Sequence, residues 1–420
     1  MPSPTAGGVY RTRLGEGLIL AYLYPPNREV GSLRPYRFAK YLPAYGIRTH
    51  VVTASAQDSD APANVHFVAD PVATAPGLWG RLARRLEWML LKQLESVGWV
   101  PGAYAAARKV IESAAGPWSL ISTSPPPVTN LTALILKRRY GSDLRWVADF
   151  RDPINAGATG FPGLWNRRLE AAIFRSADCI IANTDSVADM WRKRYPQWEH
   201  KISLIWNGYD PEEDVRALPL PPRGYKTIGH IGDIYGGRHP HRLLESLQRL
   251  LDAGVPSVSR IRLELVGELD WNTIPDPGVL RSLVERGVAV LSDPDWTAAQ
   301  MRRAMSEVDA LLLLDVGSGL HVPSKIFVYL RIGRPILAIT SRQSPSDRIL
   351  ARSGVPHVCL YPEDSAAEVD SKVLRFLEMS SDPVPASDWF YNEFDGRRQT
   401  GTLAAMLTGG AAPAQAPPVA

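Results

Sequence analysis

The chain has 420 residues, 45% hydrophobic and 21% charged, with 47 Lys and Arg against 43 Asp and Glu and a formal net charge of +4. That length exceeds one ordinary core and suits two domains, and the composition excludes a disordered or fibrous chain. Basic residues are scattered and no nucleic-acid-binding motif occurs, so the expected partner is a phosphorylated small molecule or an anionic membrane and not nucleic acid.

The opening MPSPTAGGVYRTRLGEG lacks the apolar core of a signal peptide, and the longest purely aliphatic run, residues 310–314, is far short of a membrane span. Cys179 and Cys359 both sit in apolar runs and read as buried thiols in a reducing compartment. A cytoplasmic location is expected. The sequon at Asn130 is then idle.

From residue 18 almost to the end, short runs rich in Ile, Val and Leu alternate with longer amphipathic stretches, which predicts α/β architecture with parallel sheets. In the first half the predicted strands are 17–24, 48–54, 118–123, 145–150 and 178–184. The segment between the first two places Phe38, Leu42 and Tyr45 on one helical face and stops at Gly46. Residues 206–226 are rich in turn formers and proline and suit a linker. Strands are predicted again at 226–232, 262–267, 288–292, 309–315 and 334–340. Residues 1–210 are therefore read as an N-terminal domain and 226–380 as a C-terminal domain. Residues 411–420, AAPAQAPPVA, read as a disordered tail.

Open α/β sheets bind ligands beyond the carboxyl ends of their strands, so the loops there are the candidate sites. After the strand at 226–232, Gly232, Gly236 and Gly237 allow tight backbone turns, Arg238 offers a fork of donors, and a helix begins near Pro240 with its N–H groups free for an anion. Glycines in such a loop can equally serve the turn alone. A second loop ends at Pro323 and leads into a helix closed by Gly333. Lys325 lies in the first turn, where a cation opposes the helix dipole, so a bound anion or solvent exposure must offset it. In the first half, residues 25–37 form a Pro- and Gly-containing loop. Asp149, Arg151 and Asp152 crowd the end of a core strand, where charges must pair or face a ligand.

Taken in order, PPNREVGSLRPYRFAKYLPAYGIRTHVVT, STSPPPVTNLTALILKRRYG with WVADFRDP, ADCIIANTDSVADMW, ISLIWNGYDPE, IGDIYGGRHPHRLLESL and VPSKIFVYLRIGRPILA resemble the retaining glycosyltransferases of family 4. The resemblance implies the GT-B fold, two Rossmann-like domains facing across a cleft. It implies a nucleotide-diphosphate sugar bound mainly by the second domain and an acceptor bound by the first. Arg238 and Lys325 match the basic pair that neutralises the departing diphosphate, and Asp152 matches the region lining the reacting sugar. Arg151 stands about where many relatives carry a histidine, on the acceptor side with Asp149. Gly31 matches the first-domain glycine loop near the donor, and 387–407 matches a C-terminal helix packing back on the first domain.

Family members commonly carry two glutamates seven residues apart, the second binding the donor ribose; Leu320 and Val328 stand at those positions here. His321, Ser324 or the loop 265–271 could take the ribose instead. Such enzymes need no metal or other cofactor, because cations and helix ends stabilise the leaving group. The two Asp-x-Asp matches, Asp58 with Asp60 and Asp293 with Asp295, read as surface or turn residues. The stretch 77–100 reads as an amphipathic helix carrying Arg81, Arg84, Arg85, Trp88 and Lys92. It is either a peripheral membrane contact or a solvated basic face. Envelope polysaccharide, glycolipid or natural-product glycoside synthesis is the expected setting. A pseudo-glycosyltransferase, a nucleotide-sugar epimerase-like enzyme and a non-catalytic donor- or partner-binding protein stay open.

Overall fold

The computed structural model describes residues 15–410 except 28, 56–61, 78–79, 83–84, 86–95, 115–116, 155–159, 316 and 318. Most of 77–100, the tail 411–420 and the Asp58 and Asp60 pair lie outside the described residues. The chain divides into two compact units. The first comprises Met1–Asn183, Trp191–Ile205 and Gln399–Ala420, and the second Thr184–Met190 and Trp206–Arg398.

The first unit holds a seven-stranded sheet in the order β3-β2-β1-β4-β5-β6-β7. Its strands are β1 Gly15–Ala21, β2 Ile47–Thr53, β3 Val65–Phe67, β4 Trp118–Ser124, β5 Leu144–Phe150, β6 Cys179–Ala182 and β7 Ile202–Leu204. Every pairing is parallel. Strands buried on both faces read as continuous apolar runs, which is why five of these were visible in the sequence. One core cluster packs Ile19, Val51, Ile121, Val147 and Ile181 from the sheet against Phe38 and Leu42. Leu403, Ala404, Met406 and Leu407 of the helix Gly396–Thr408 complete that cluster. Arg145 Nε donates to the Met406 carbonyl and Ser119 Oγ to that of Leu407, pinning the helix end.

The expected single helical piece at 387–407 is two helices, Asp388–Phe394 and Gly396–Thr408, separated by the extended residue Asp395. Only the second lies mainly in the first unit; the first packs Phe390 and Phe394 against Tyr209 and Phe327 within the second unit. Residues 206–210 also fall in the second unit, because the Tyr209 backbone N–H donates to the Phe394 carbonyl.

The second unit holds a six-stranded sheet, β10-β9-β8-β11-β12-β13. The strands are β8 Lys226–Ile231, β9 Ile261–Val266, β10 Ala289–Ser292, β11 Ala310–Leu314, β12 Ile336–Ile339 and β13 His357–Leu360, again all parallel. The chain winds outward from β8 to β10, then returns to β8's other side as β11. That reversal is the topological switch point of a Rossmann sheet, where two adjacent loops part and leave a crevice. Both cysteines are free; Cys359 is buried and Cys179 half-buried, so the expected burial holds for Cys359 and only in part for Cys179.

Candidate donor site

The loops leaving β8 and β11, with the first residue of the helix after β11, hold seven of the predicted site residues. Gly232 follows β8 with φ +123°, and a β-carbon there would collide with Nζ and Cε of Lys325. Only glycine fits, since backbone conformation and the approaching lysine both reject a side chain. Gly236 and Gly237 form the loop's outer corner, with φ +60° and +81° and open space where a side chain would stand. They serve the turn, whereas Gly232 admits the lysine.

Lys325 opens the helix Lys325–Ile332, which Gly333 terminates in the left-handed conformation. Burial pushes its ammonium down to about 8; the Asp233 carboxylate opposes this and the Arg238 charge adds to it. Two cations near each other with limited hydration favour whatever anion reaches them. Arg238 is half-buried, its guanidinium 5.7 Å from the centre of the Tyr235 ring. Nearby, Asp315 at the end of β11 has its pKa raised by burial, against the hydroxyls of Ser346 and Thr340 and the charges of Arg238 and His321. Ser324 occupies the helix N-cap without capping through its side chain, and His321 is half-buried. Among the described residues no group of three or more His, Cys, Asp or Glu is placed to hold a metal ion. Asp293 and Asp295 lie exposed beyond β10.

Val328 is half-buried between the buried Phe327 and Tyr329, and the Leu320 carbonyl accepts a 2.7 Å hydrogen bond from Thr184 Oγ1. Leu320 therefore acts through its backbone. One contributor escaped sequence reading. His230, inside β8, is buried and its Nε2 lies 3.3 Å from Lys325 Nζ. A histidine between the buried Ile228 and Ile231 of the run KTIGHIG was the only signal for it.

The remaining predicted residues lie in the first unit, Gly31 in the loop after β1 and Asp149, Arg151 and Asp152 at the carboxyl end of β5. A β-carbon on Gly31 would sit 2.7 Å from Arg151 Nη1 and 2.7 Å from Leu23 Cδ1, so this glycine yields space to the guanidinium. Arg151 Nε donates to the Ser124 carbonyl at 3.1 Å and Nη2 to the Pro125 carbonyl at 2.7 Å. Burial lowers its pKa while Asp149 and Asp152 support the charge. Asp149 is fully buried, accepting from Arg34 Nε at 2.9 Å, Arg34 Nη2 at 2.8 Å and Thr123 Oγ1 at 2.9 Å. Its expected place on the acceptor side is corrected to a core ion pair, because a carboxylate closed off by three donors has no face left for a substrate. Asp152 is half-buried beside Arg151.

Comparison with known proteins bears on this arrangement. Residues 34–213 match Glycosyltransferase Family 4. The family 4 resemblance is borne out over that stretch, which runs from β2 through β7. A D-inositol 3-phosphate glycosyltransferase from Nocardiopsis dassonvillei is 31% identical over 130 residues, 29% of this chain and 30% of the relative. The chain thus spans about a third of the length of the curated relative it matches. Among solved structures, Anabaena HepE in complex with UDP and glucose superposes with a TM-score of 0.60 at 14% identity, covering 93% of this chain and 99% of that one. The catalytic domain of Arabidopsis thaliana starch synthase IV, bound to ADP and acarbose, gives a TM-score of 0.58 at 11% identity over 94% and 99%. With the two parallel six- and seven-stranded sheets, these likenesses show a GT-B fold. No described helix is long and apolar enough to cross a membrane.

Proposed function

We propose that this protein is a glycosyltransferase that moves a sugar from a nucleoside-diphosphate sugar to an acceptor hydroxyl, without a metal and with retention of anomeric configuration. The observation that carries the reading is Lys325, whose ammonium is inserted beside Gly232 at the switch point between β8 and β11. In the reaction the bond from the anomeric carbon to the diphosphate oxygen breaks and its electrons leave with the diphosphate. A bond to the acceptor oxygen forms, and the acceptor proton is released. Lys325 and Arg238 stabilise the charge that builds on the leaving oxygen, with the N-terminus of the helix at Lys325 adding its dipole.

The second unit is assigned the donor through Gly232, Gly236, Gly237, Arg238, His321, Ser324 and Lys325. The first is assigned the acceptor through Arg151 and Asp152, with Gly31 making room for Arg151. The Nocardiopsis relative is named for a phosphorylated cyclitol acceptor, and an arginine fork is chemically suited to a phosphate. An anionic acceptor is therefore included alongside glycans and lipid-linked acceptors. Envelope polysaccharide, glycolipid or natural-product glycoside synthesis remains the setting we favour, inside the cell and with peripheral membrane contact through 77–100.

Val328 and Leu320 favour one competing reading, a protein that binds a donor without transferring sugar. Incubating the purified chain with a panel of UDP-, GDP- and ADP-sugars and measuring released nucleoside diphosphate separates the two. Release that disappears in Lys325→Ala supports the transferase; nucleotide binding with no release across the panel overturns it.

A further inference from the structure

His230 is a buried polar residue inside β8 of the second unit, with 3% of its surface exposed. Its Nδ1 is 2.9 Å from the Leu312 carbonyl of the adjacent strand β11. A carbonyl oxygen only accepts, so Nδ1 carries the hydrogen and Nε2 presents a lone pair. Tyr329 Oη also donates to the Leu312 carbonyl, at 3.4 Å, fixing that oxygen from the helix side. The lone pair on Nε2 faces Lys325 Nζ at 3.3 Å, a donor with no accepting capacity of its own.

We propose that His230 is a positioning residue for the donor site, its Nε2 accepting a hydrogen bond from the Lys325 ammonium and holding that amine beside Gly232, ready to meet a diphosphate. This rests on the donor-site reading above. The chain of contacts runs Leu312 carbonyl, His230, Lys325, and each link has one allowed polarity. A lysine left to itself would have to give up several rotatable bonds on binding its ligand; one already fixed does so beforehand. Burial and the Lys325 charge push His230 down to about 3, against backbone hydrogen bonds at Leu312, Asp233 and Gly232 that favour the charged form, so the imidazole stays neutral through the physiological range. The other charges facing the pair are Asp233, which favours the ammonium, and Arg238, which disfavours it.

The test compares wild-type protein with His230→Leu, which removes the acceptor, and His230→Gln, whose amide can donate to Leu312 and accept from Lys325. Calorimetric titration with UDP, GDP and ADP across pH is the first readout. The Leu variant is expected to bind about tenfold to a hundredfold more weakly. Its affinity should fall off at lower pH than in wild type, because a hydrogen bond to the charged form no longer supports the ammonium; the Gln variant should restore both. Unchanged affinity and an unchanged alkaline limb in a folded Leu variant overturn the proposal. The second readout needs no nucleotide: competitive acetylation of Lys325 in the unliganded chain, followed by mass spectrometry against pH. A midpoint that drops in Leu and recovers in Gln upholds the His230 to Lys325 link even if no nucleoside diphosphate binds, an outcome that would sink the donor-site reading alone. If the Leu variant does not fold, the imidazole nitrogen resonances of wild-type His230 decide: an Nδ1–H tautomer supports the link and an Nε2–H tautomer refutes it.

Discussion

The Arg34 guanidinium closes on both carboxylate oxygens of Asp149, Nε on Oδ2 at 2.9 Å and Nη2 on Oδ1 at 2.8 Å, in the buried floor of the first sheet. Arg34 Nη2 also donates to the Ile205 carbonyl at 2.9 Å, so one side chain ties a helix, β5 and the segment after β7 together. Breaking a buried pair leaves the other charge stranded and costs about 3 to 5 kcal/mol. Asp149→Ala should therefore lower the denaturation midpoint sharply. Nucleotide binding by whatever remains folded should be intact, as read by urea titration and calorimetry. A loss of binding with unchanged stability would return Asp149 to the functional site.

Gly232 and Gly236 should respond differently to the same substitution. Gly232→Ala collides with the Lys325 amine and should abolish nucleotide binding, whereas Gly236→Ala meets no atom and should cost only the backbone strain, about 1 to 2 kcal/mol. Isothermal titration on both variants checks this; equal losses would mean that the loop acts only as a turn.

Lys325 gives the site a pH signature. Its folded pKa, about 8, lies below the ordinary lysine value of 10.5. Between those values the unfolded chain binds more protons, so the charged lysine's cost to stability is present below pH 8 and is relieved as pH rises toward 10.5. Ligand binding should run the other way. A diphosphate needs the ammonium, so affinity is expected to decline above about pH 8 in wild type, and Lys325→Arg should push that decline to higher pH. Titration calorimetry over pH on the two proteins measures it.

Val328→Glu tests how the donor ribose is held. A carboxylate accepting from a ribose hydroxyl would strengthen nucleoside-diphosphate binding by about 1.5 to 3 kcal/mol, with no gain for the deoxyribose analogue. Equal gains for both sugars would show that the added acid acts without touching the ribose.

Sequence reading worked where strands are buried on both faces. β8 and β11, for example, appear as KTIGHI and ALLLL because neither face meets water. It missed β3, β7 and β13, strands of three, three and four residues at sheet edges, where a short apolar run does not differ from a loop. Gly232, Arg238 and Lys325 were legible because loop glycines and a cation opposing a helix dipole are local anomalies. His230 and the Arg34 partner of Asp149 were not. A partner 95 residues away for His230, or 115 for Asp149, is set by strand order and leaves no local pattern. The boundary near 206–210 and the break at Asp395 were hidden for the same reason, since both depend on Tyr209 meeting Phe394.

The helix Gly396–Thr408 sets an order of events during synthesis. Leu403, Met406 and Leu407 belong to the same core cluster as Ile19 and Val51, yet they leave the ribosome only after every residue of the second unit has been made. The first unit to be translated is therefore the last to be finished, and its sheet must wait, with part of one face uncovered, while the second unit emerges. A chain stalled just after residue 398 would hold a complete second unit and an open first one, the state in which a nascent protein most needs a chaperone.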